Sequence, residues 1–365
     1  MDNVPTSAFF NMLMNLAGGM IEKMAAKPAA DDATKVSFSY LDIGGYNYAA
    51  SRYEKDGTLH PDRVIVGSET LPKNLYHNWQ LVKKLPYVVG DFMWTGWDYL
   101  GEAGIGTVRY KSFKNPGQDA PIISAGCGVI DICGKLRPEV QWNRLIWGLD
   151  HTPGIGVEPY THAGETGSVS MWRDTDAVAS WSWAGCEGKK TKVTVYSDGE
   201  TAELIVNGHS YGRKKTKEYK AVFKRVVYEP GTITAISYDG EGKEQSRTSM
   251  KTAAGATELR VVADRSTLQA KTQDLAYISI DLTGADGITK SSEDTAVTVE
   301  VDGAGKLLAL GSARPNMGEN FFSDTHTTYY GKALAVVRGG DVPGKITVTV
   351  KAKGLRAKTL ELEVI

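Results

Sequence analysis

The sequence predicts a multidomain chain of α/β plus all-β class: βα units on a parallel sheet, then two β-sandwich domains. Three observations predict it. Short apolar runs near residues 38–48, 64–67 and 88–94 alternate with stretches of helical spacing, the pattern of strands joined by crossover helices. After Asp150 the pattern becomes short alternating strands punctuated by Asn207-Gly208 and Asp239-Gly240, which are hairpin signals. The 40 glycines and 17 tyrosines supply the turn and strand residues that such β-structure needs.

Taken in order, Phe9, Phe10, Leu13, Leu16, Met20 and Met24 recur near helical spacing and predict an amphipathic helix. Asp2 stands where a signal peptide wants a basic start, and the run is too short and polar to span a bilayer. Residues 27–35 (KPAADDATK) read as a flexible connection. Residues 38–48 (FSYLDIGGYNY), 64–67 (VIVG) and 88–94 (VVGDFMW) read as strands. Residues 53–62 read as a turn region, and 75–84 and 140–149 as helices. Residues 152–156 (TPGIG) break the chain. About 100 residues then read as an immunoglobulin-like sandwich, through 192–196 (KVTVY), 202–206 (AELIV) and 232–238 (TITAISY). A second break at 252–257 (TAAGAT) opens a second all-β unit. The expected division is a helix and connection over 1–35, the α/β part over 36–153, and sandwiches over 154–254 and 255–365.

Composition narrows the function. The apolar share of 41% and charged share of 23% are those of a globular protein. A formal net charge of -1 gives no electrostatic reason to expect nucleic acid or an anionic membrane as partner. Cys127, Cys133 and Cys186 are odd in number, so three thiols are expected rather than a paired framework. No histidine stands at zinc-like spacing from them, and neither metal nor cofactor is implied.

Three strand ends carry candidate chemistry. Residues 63–72 (RVIVGSETLP) run an apolar strand into Gly67-Ser68-Glu69, and a carboxylate there is placed to act on a bound sugar; it would equally serve as a helix cap or the partner of a lysine. Residues 90–102 (GDFMWTGWDYLGE) set Trp94, Trp97 and Tyr99 beside Asp98 and Glu102. Aromatic faces beside carboxylates suit sugars, although core packing would use the same tryptophans. Residues 42–48 (DIGGYNY) end in Asn47 and Tyr48, an amide and a phenol able to hold a carboxylate or a hydroxyl, or simply a turn and a packed ring.

This ordered set resembles glycoside hydrolase family 2, the bacterial β-galactosidase-like branch with extra C-terminal sandwiches. Residues 181–187 (WSWAGCE), 202–212 (AELIVNGHSYG), 307–312 (LLALGS) and 328–333 (TYYGKA) extend the likeness over nearly the whole chain. The resemblance implies that 36–153 is part of a (β/α)8 barrel, the last strands only. It implies Glu69 as catalytic nucleophile, with Asn47, Tyr48 and Trp94 around the substrate; Trp97 and Asp98 are added as substrate-binding candidates from the aromatic and carboxylate pattern alone. Whether Tyr46 or Tyr48 supplies the phenol stays open. The substrate would be a β-linked oligosaccharide or glycoside. A retaining glycosidase needs two carboxyls about 5–5.5 Å apart. The family's Asn-Glu acid/base pair has no counterpart here, since Glu319-Asn320 is reversed and falls in the last unit. The expected partner is therefore the N-terminal half of the enzyme, on the same or a companion chain, and the isolated chain is expected to be inactive. Location would be periplasmic or secreted with an upstream signal, and cytoplasmic otherwise. The competing reading is a non-catalytic carbohydrate-binding or adhesive protein whose exposed aromatics, Trp172, Trp181, Trp183, Tyr329 or Tyr330, stack on glycan.

Overall fold

A computed structural model describes residues 22–110, 122–316 and 318–365. The helix expected over residues 9–24 lies outside them apart from its end, where 22–25 are helical. The first unit is a three-stranded parallel sheet of β1 (Ile43–Asn47), β2 (Val64–Thr70) and β3 (Val88–Met93), in that spatial order. Helix α2 (Tyr53–Leu59) crosses from β1 to β2, and α3 (Leu75–Lys84) from β2 to β3. Tyr46, Tyr53, Ile65, Leu85 and Val88 form the core under this crossover layer. Helix α4 (Glu139–Trp147) packs against α3 through Leu75, Trp142, Leu145 and Ile146. It stops at Gly148, whose φ of 69° is the left-handed C-terminal turn that glycine makes without strain.

Two elements differ from expectation. Residues 27–35 are not a flexible connection: α1 spans Pro28–Phe38. Pro28 supplies the fixed φ and dispensable N–H of a first turn, and three alanines favour the helix. Tertiary bonds then pin it, with Asp31 accepting from Arg52 at 3.3 Å and meeting His60 at 2.8 Å. Phe38 accordingly ends a helix rather than starting a strand, and β1 begins only at Ile43. The turn region expected over 53–62 contains α2, whose first turn carries Glu54 and Asp56, the sign that complements a helix N-terminus.

Beneath β1, Asp56 is 1% exposed and gathers three donors. Arg52 Nη2 lies at 2.8 Å, Arg63 Nη1 at 3.3 Å, and the Tyr46 hydroxyl at 2.5 Å. Burial and this carboxylate push the Tyr46 phenol up to about 12.

The rest of the chain is antiparallel β-structure in two sandwiches. The first faces β4 (Gly154–Val157), β5 (Lys190–Tyr196) and β8 (Lys220–Val227) against β6 (Thr201–Val206), β7 (His209–Lys215), β9 (Thr232–Tyr238) and β10 (Glu244–Lys251). Asn207 and Gly208 have φ of 48° and 82°, the left-handed pair that closes a two-residue hairpin with the correct twist. Trp181 and Trp183 fill the core and give their indole N–H groups to the carbonyls of Glu229 and Ser180.

The second sandwich starts at β11 (Glu258–Ala263) and closes on a fully buried core including Ile278, Ile280, Val337, Ile346 and Val348. Its strand β12 (Leu275–Thr283) pairs with both β11 and β13 (Lys332–Gly339), whose side chains alternate strictly between buried and half-buried. Such alternation is the signature of a strand with one face in a core.

The break expected at 252–257 is tied to both sandwiches. Thr252 Oγ1 donates to the Trp181 carbonyl at 2.7 Å, and Ala253 N to Ser182 Oγ at 2.8 Å. On the other side Ala254 N donates to Asp286 at 3.0 Å and Thr257 Oγ1 to Glu293 at 2.7 Å. Cys127, Cys133 and Cys186 are all free thiols.

Candidate active site

The candidate site lies at the C-terminal ends of the three parallel strands. Backbone bonds set the row: Tyr48 N donates to the Glu69 carbonyl at 2.7 Å, and Trp94 N to the Thr70 carbonyl at 2.8 Å. Asn47 is the register partner of Glu69. The β2–β3 register shifts between Gly67 and Thr70. Positions 67 and 70 both point toward Asp91: a Cβ on Gly67 would stand 2.9 Å from its Oδ1, and Thr70 Oγ1 donates to its Oδ2 at 3.0 Å. Simple alternation is broken there, as a bulge does when it re-aims a side chain. Serine and glutamate occupy the interruption.

The side chains assemble around Glu69. The Tyr48 hydroxyl faces Glu69, whose carboxylate is among the groups that hold the phenol protonated. The same oxygen accepts the indole N–H of Trp172 at 3.1 Å. Burial, the largest cause, pushes the Tyr48 phenol up to about 12. Tyr48 therefore stays a protonated donor through the neutral range. No lysine or arginine pairs with Glu69 among the described residues, so its carboxylate is not consumed by an ordinary ion pair. Ser68 Oγ donates to Asn47 Oδ1 at 2.8 Å and orients that amide beside the strand end.

Trp94 stands on the other flank. Its indole N–H donates to the Tyr99 hydroxyl at 2.9 Å, and that hydroxyl in turn bonds Glu102. The Trp94 and Tyr99 rings pack edge to face at 5.7 Å. Tyr48, Trp94 and Tyr99 all pack on one apolar cluster of Leu71, Ile105, Ala125, Cys127, Met171 and Trp172. The structure thus brings Asn47, Tyr48, Glu69 and Trp94 into one place. Of the two phenols, Tyr46 is bonded to Asp56 and Arg63 under the sheet, whereas Tyr48 lies on the side of Glu69.

Trp97 and Asp98 do not join them. Asp98 is 6% exposed, with Oδ1 accepting from Gly126 N at 2.8 Å and Tyr99 N at 3.1 Å, and Oδ2 beside Arg137 at 3.4 Å. Its acceptors hold the loop after β3 in place, and they leave little for a substrate. Trp97 is 57% exposed and lies over Gly134, separate from the cluster that holds Trp94. Proximity along the chain misleads here, because the backbone turns away from the strand end directly after Trp94. From sequence, Trp172 figures only among the aromatics that would stack on glycan. It is 8% exposed and lies 124 positions from Tyr48 along the chain; no periodicity connects them. Trp181 and Trp183 are likewise core residues, at 1% and 0% exposed, so these three tryptophans offer no stacking platform.

Known proteins resemble this chain as follows. Residues 259–361 match the model of glycoside hydrolase family 2 C-terminal domain 5, and 188–246 match a domain of unknown function, DUF4982. A crystal structure of a glycosyl hydrolase family 2 member from Bacteroides cellulosilyticus superposes with a TM-score of 0.80 at 32% identity, covering 93% of this chain and 44% of that one. The curated β-galactosidase BoGH2A of Bacteroides ovatus is 26% identical over 284 residues, 78% of this chain and 29% of its own length. A β-glycosidase from Bacteroides vulgatus shares the fold, with a TM-score of 0.65 at 19% identity, covering 89% of this chain and 45% of that one. The chain thus spans less than half the length of each of these relatives.

Proposed function

Because the chain carries the C-terminal region of a glycoside hydrolase family 2 protein, we propose that it is the nucleophile-bearing part of a retaining exo-β-glycosidase acting on β-galactosides. The parallel sheet is, in this reading, the end of a (β/α)8 barrel, where sites collect at the C-terminal ends of strands. Its edge strands support the reading. Ile43 on β1 and Val89 and Phe92 on β3 are 51%, 57% and 65% exposed, an apolar surface that further strands and helices would cover.

The observation that carries the proposal is Glu69 at a strand end between Tyr48, whose N–H donates to the Glu69 carbonyl at 2.7 Å, and Trp94, whose N–H donates to the Thr70 carbonyl at 2.8 Å. The chemistry follows from it. The Glu69 carboxylate attacks the anomeric carbon while the glycosidic oxygen takes a proton from an acid on the preceding part of the barrel. The bond from sugar carbon to aglycone oxygen breaks, and a glycosyl ester on Glu69 forms. Water, deprotonated by the same second carboxyl, then displaces Glu69 with a second inversion, giving net retention. Tyr48 holds the carboxylate in position, Asn47 lies beside it, and the Trp94 ring gives the sugar an apolar face.

The test is hydrolysis of a chromogenic β-galactoside by this chain completed with the preceding barrel strands. The chain alone is expected to be inactive. Completion is expected to confer activity, and Glu69→Gln to remove it by a factor on the order of 10⁴ or more. A completed Glu69→Gln enzyme that turns over like the parent would end the proposal.

A further inference from the structure

We propose that Trp172 is a positioning residue that aims the Tyr48 hydroxyl proton at Glu69, so that a connection within the first sandwich completes the site on the parallel sheet. This rests on the reading of Glu69 as nucleophile.

The two partners of Tyr48 differ in kind. An indole N–H only donates, and a carboxylate only accepts. The Tyr48 oxygen therefore accepts from Trp172 at 3.1 Å and has one proton left to give, and the carboxylate it faces is that of Glu69, the residue whose carbonyl already takes the Tyr48 backbone N–H at 2.7 Å. The indole fixes the hydroxyl from behind and removes the rotamer in which that proton would seek another partner. A donor on the Tyr48 oxygen also strengthens the bond that the hydroxyl makes onward, since chained hydrogen bonds polarise one another. The rings meet edge to face, with centroids 6.4 Å apart and planes at 88°, so the contact is directional and not merely space-filling.

Trp172 is itself held firmly. It lies in the connection between β4 and β5, residues 158–189, which is long for a hairpin-like link, and long loops of this kind commonly serve a site. Ser170 Oγ accepts from Trp172 N at 3.2 Å and Arg173 N at 3.3 Å, and Ser170 N donates to the Arg173 carbonyl at 3.1 Å, closing a turn. Arg173 then pairs with Glu139 at 3.4 Å, at the start of α4. Met171 and Trp172 sit in the same apolar cluster as Leu71, two residues after Glu69. The turn, the ion pair and the cluster fix the indole from three sides.

The experiment uses the 365-residue chain with ¹⁵N-labelled tryptophan indoles, and Trp172→Phe assigns the Trp172 N–H cross-peak by its loss. Glu69→Gln is expected to shift that peak, because removing the charge weakens the pull on the Tyr48 proton. Tyr48→Phe is expected to shift it further, and in the Tyr48→Phe background Glu69→Gln is expected to shift it no more. A peak that responds to Tyr48→Phe but ignores Glu69→Gln overturns the relay. In the completed enzyme, Trp172→Phe is expected to lower kcat by up to about a hundredfold with KM within about twofold, the behaviour of a misaimed reacting group. Trp172→His, which restores an N–H donor, is expected to recover part of that loss, whereas equal damage from Phe and His marks simple packing and overturns the proposal. If Trp172→Phe equals the parent while Glu69→Gln is dead, the relay falls and the nucleophile stands. If Glu69→Gln stays active, the nucleophile reading falls, and the spectrum still decides the relay.

Discussion

Asp56→Ala is expected to destabilise the parallel-sheet unit by about 3–5 kcal/mol, the cost of breaking a buried ion pair from one side. Asp56 is 1% exposed, and its carboxylate is shared by Arg52, Arg63 and Tyr46. Removing it leaves two guanidinium groups under β1 with little compensation. Arg52 keeps Asp31 at 3.3 Å, whereas Arg63 keeps the Tyr46 hydroxyl and the face of Phe38 at 4.8 Å. Asp56→Asn preserves the shape and an acceptor for Tyr46 but not the charge, so comparing the two variants separates packing from electrostatics. Calorimetry should show the transition of this unit falling well below those of the sandwiches. A shift under about 1 kcal/mol would mean that the arginines find water or other partners readily.

The second large effect depends on pH. Burial raises the Asp91 carboxyl from its ordinary 3.8 to about 6, against the opposing pull of the Thr70 hydroxyl that bonds it and of the Asn78 amide nearby. The folded chain therefore holds this proton more tightly than the unfolded chain. Its favourable contribution is complete below about pH 4 and is lost as pH rises through about 6. The shift corresponds to about 3 kcal/mol between those limits. Asp91→Asn cannot titrate, and its amide oxygen can still accept from Thr70. Urea unfolding at pH 4.5 and pH 7 should show the variant gaining on the parent by about 2 kcal/mol over that interval. Parallel pH profiles would refute the assignment. The prediction bears on the site, because Thr70 follows Glu69 directly and its hydroxyl is held by Asp91 at 3.0 Å.

The sequence reveals this site where strand ends announce it. The run VIVG leads through Ser68 to Glu69, VVGDFMW ends in Trp94, and the parallel register sets those strand ends side by side. The spacing of Leu75, Trp79, Leu81 and Val82 matches α3 over its full observed length, Leu75–Lys84. Reading fails where tertiary bonds decide. Residues 27–35 look like a linker because they carry few apolar groups, yet Pro28, the alanines and the Asp31 bonds make them helical. Asp98 looks like a substrate ligand because it follows Trp94 closely, and only the loop's return path shows its oxygens turned to Gly126 and Arg137. Trp172 is beyond reach of any local pattern, since its partner lies 124 positions away.

The segment joining the two sandwiches has a mechanical consequence. Residues 252–257 bond to the Trp181–Ser182 turn on one side and to Asp286 and Glu293 on the other, so the joint has few free torsions left to act as a hinge. The pair should therefore tumble as one stiff body, and the second sandwich is also fastened to the loop after β3, where Lys135 Nζ donates to Ser279 Oγ at 2.6 Å and Ile122 bridges to Asn316.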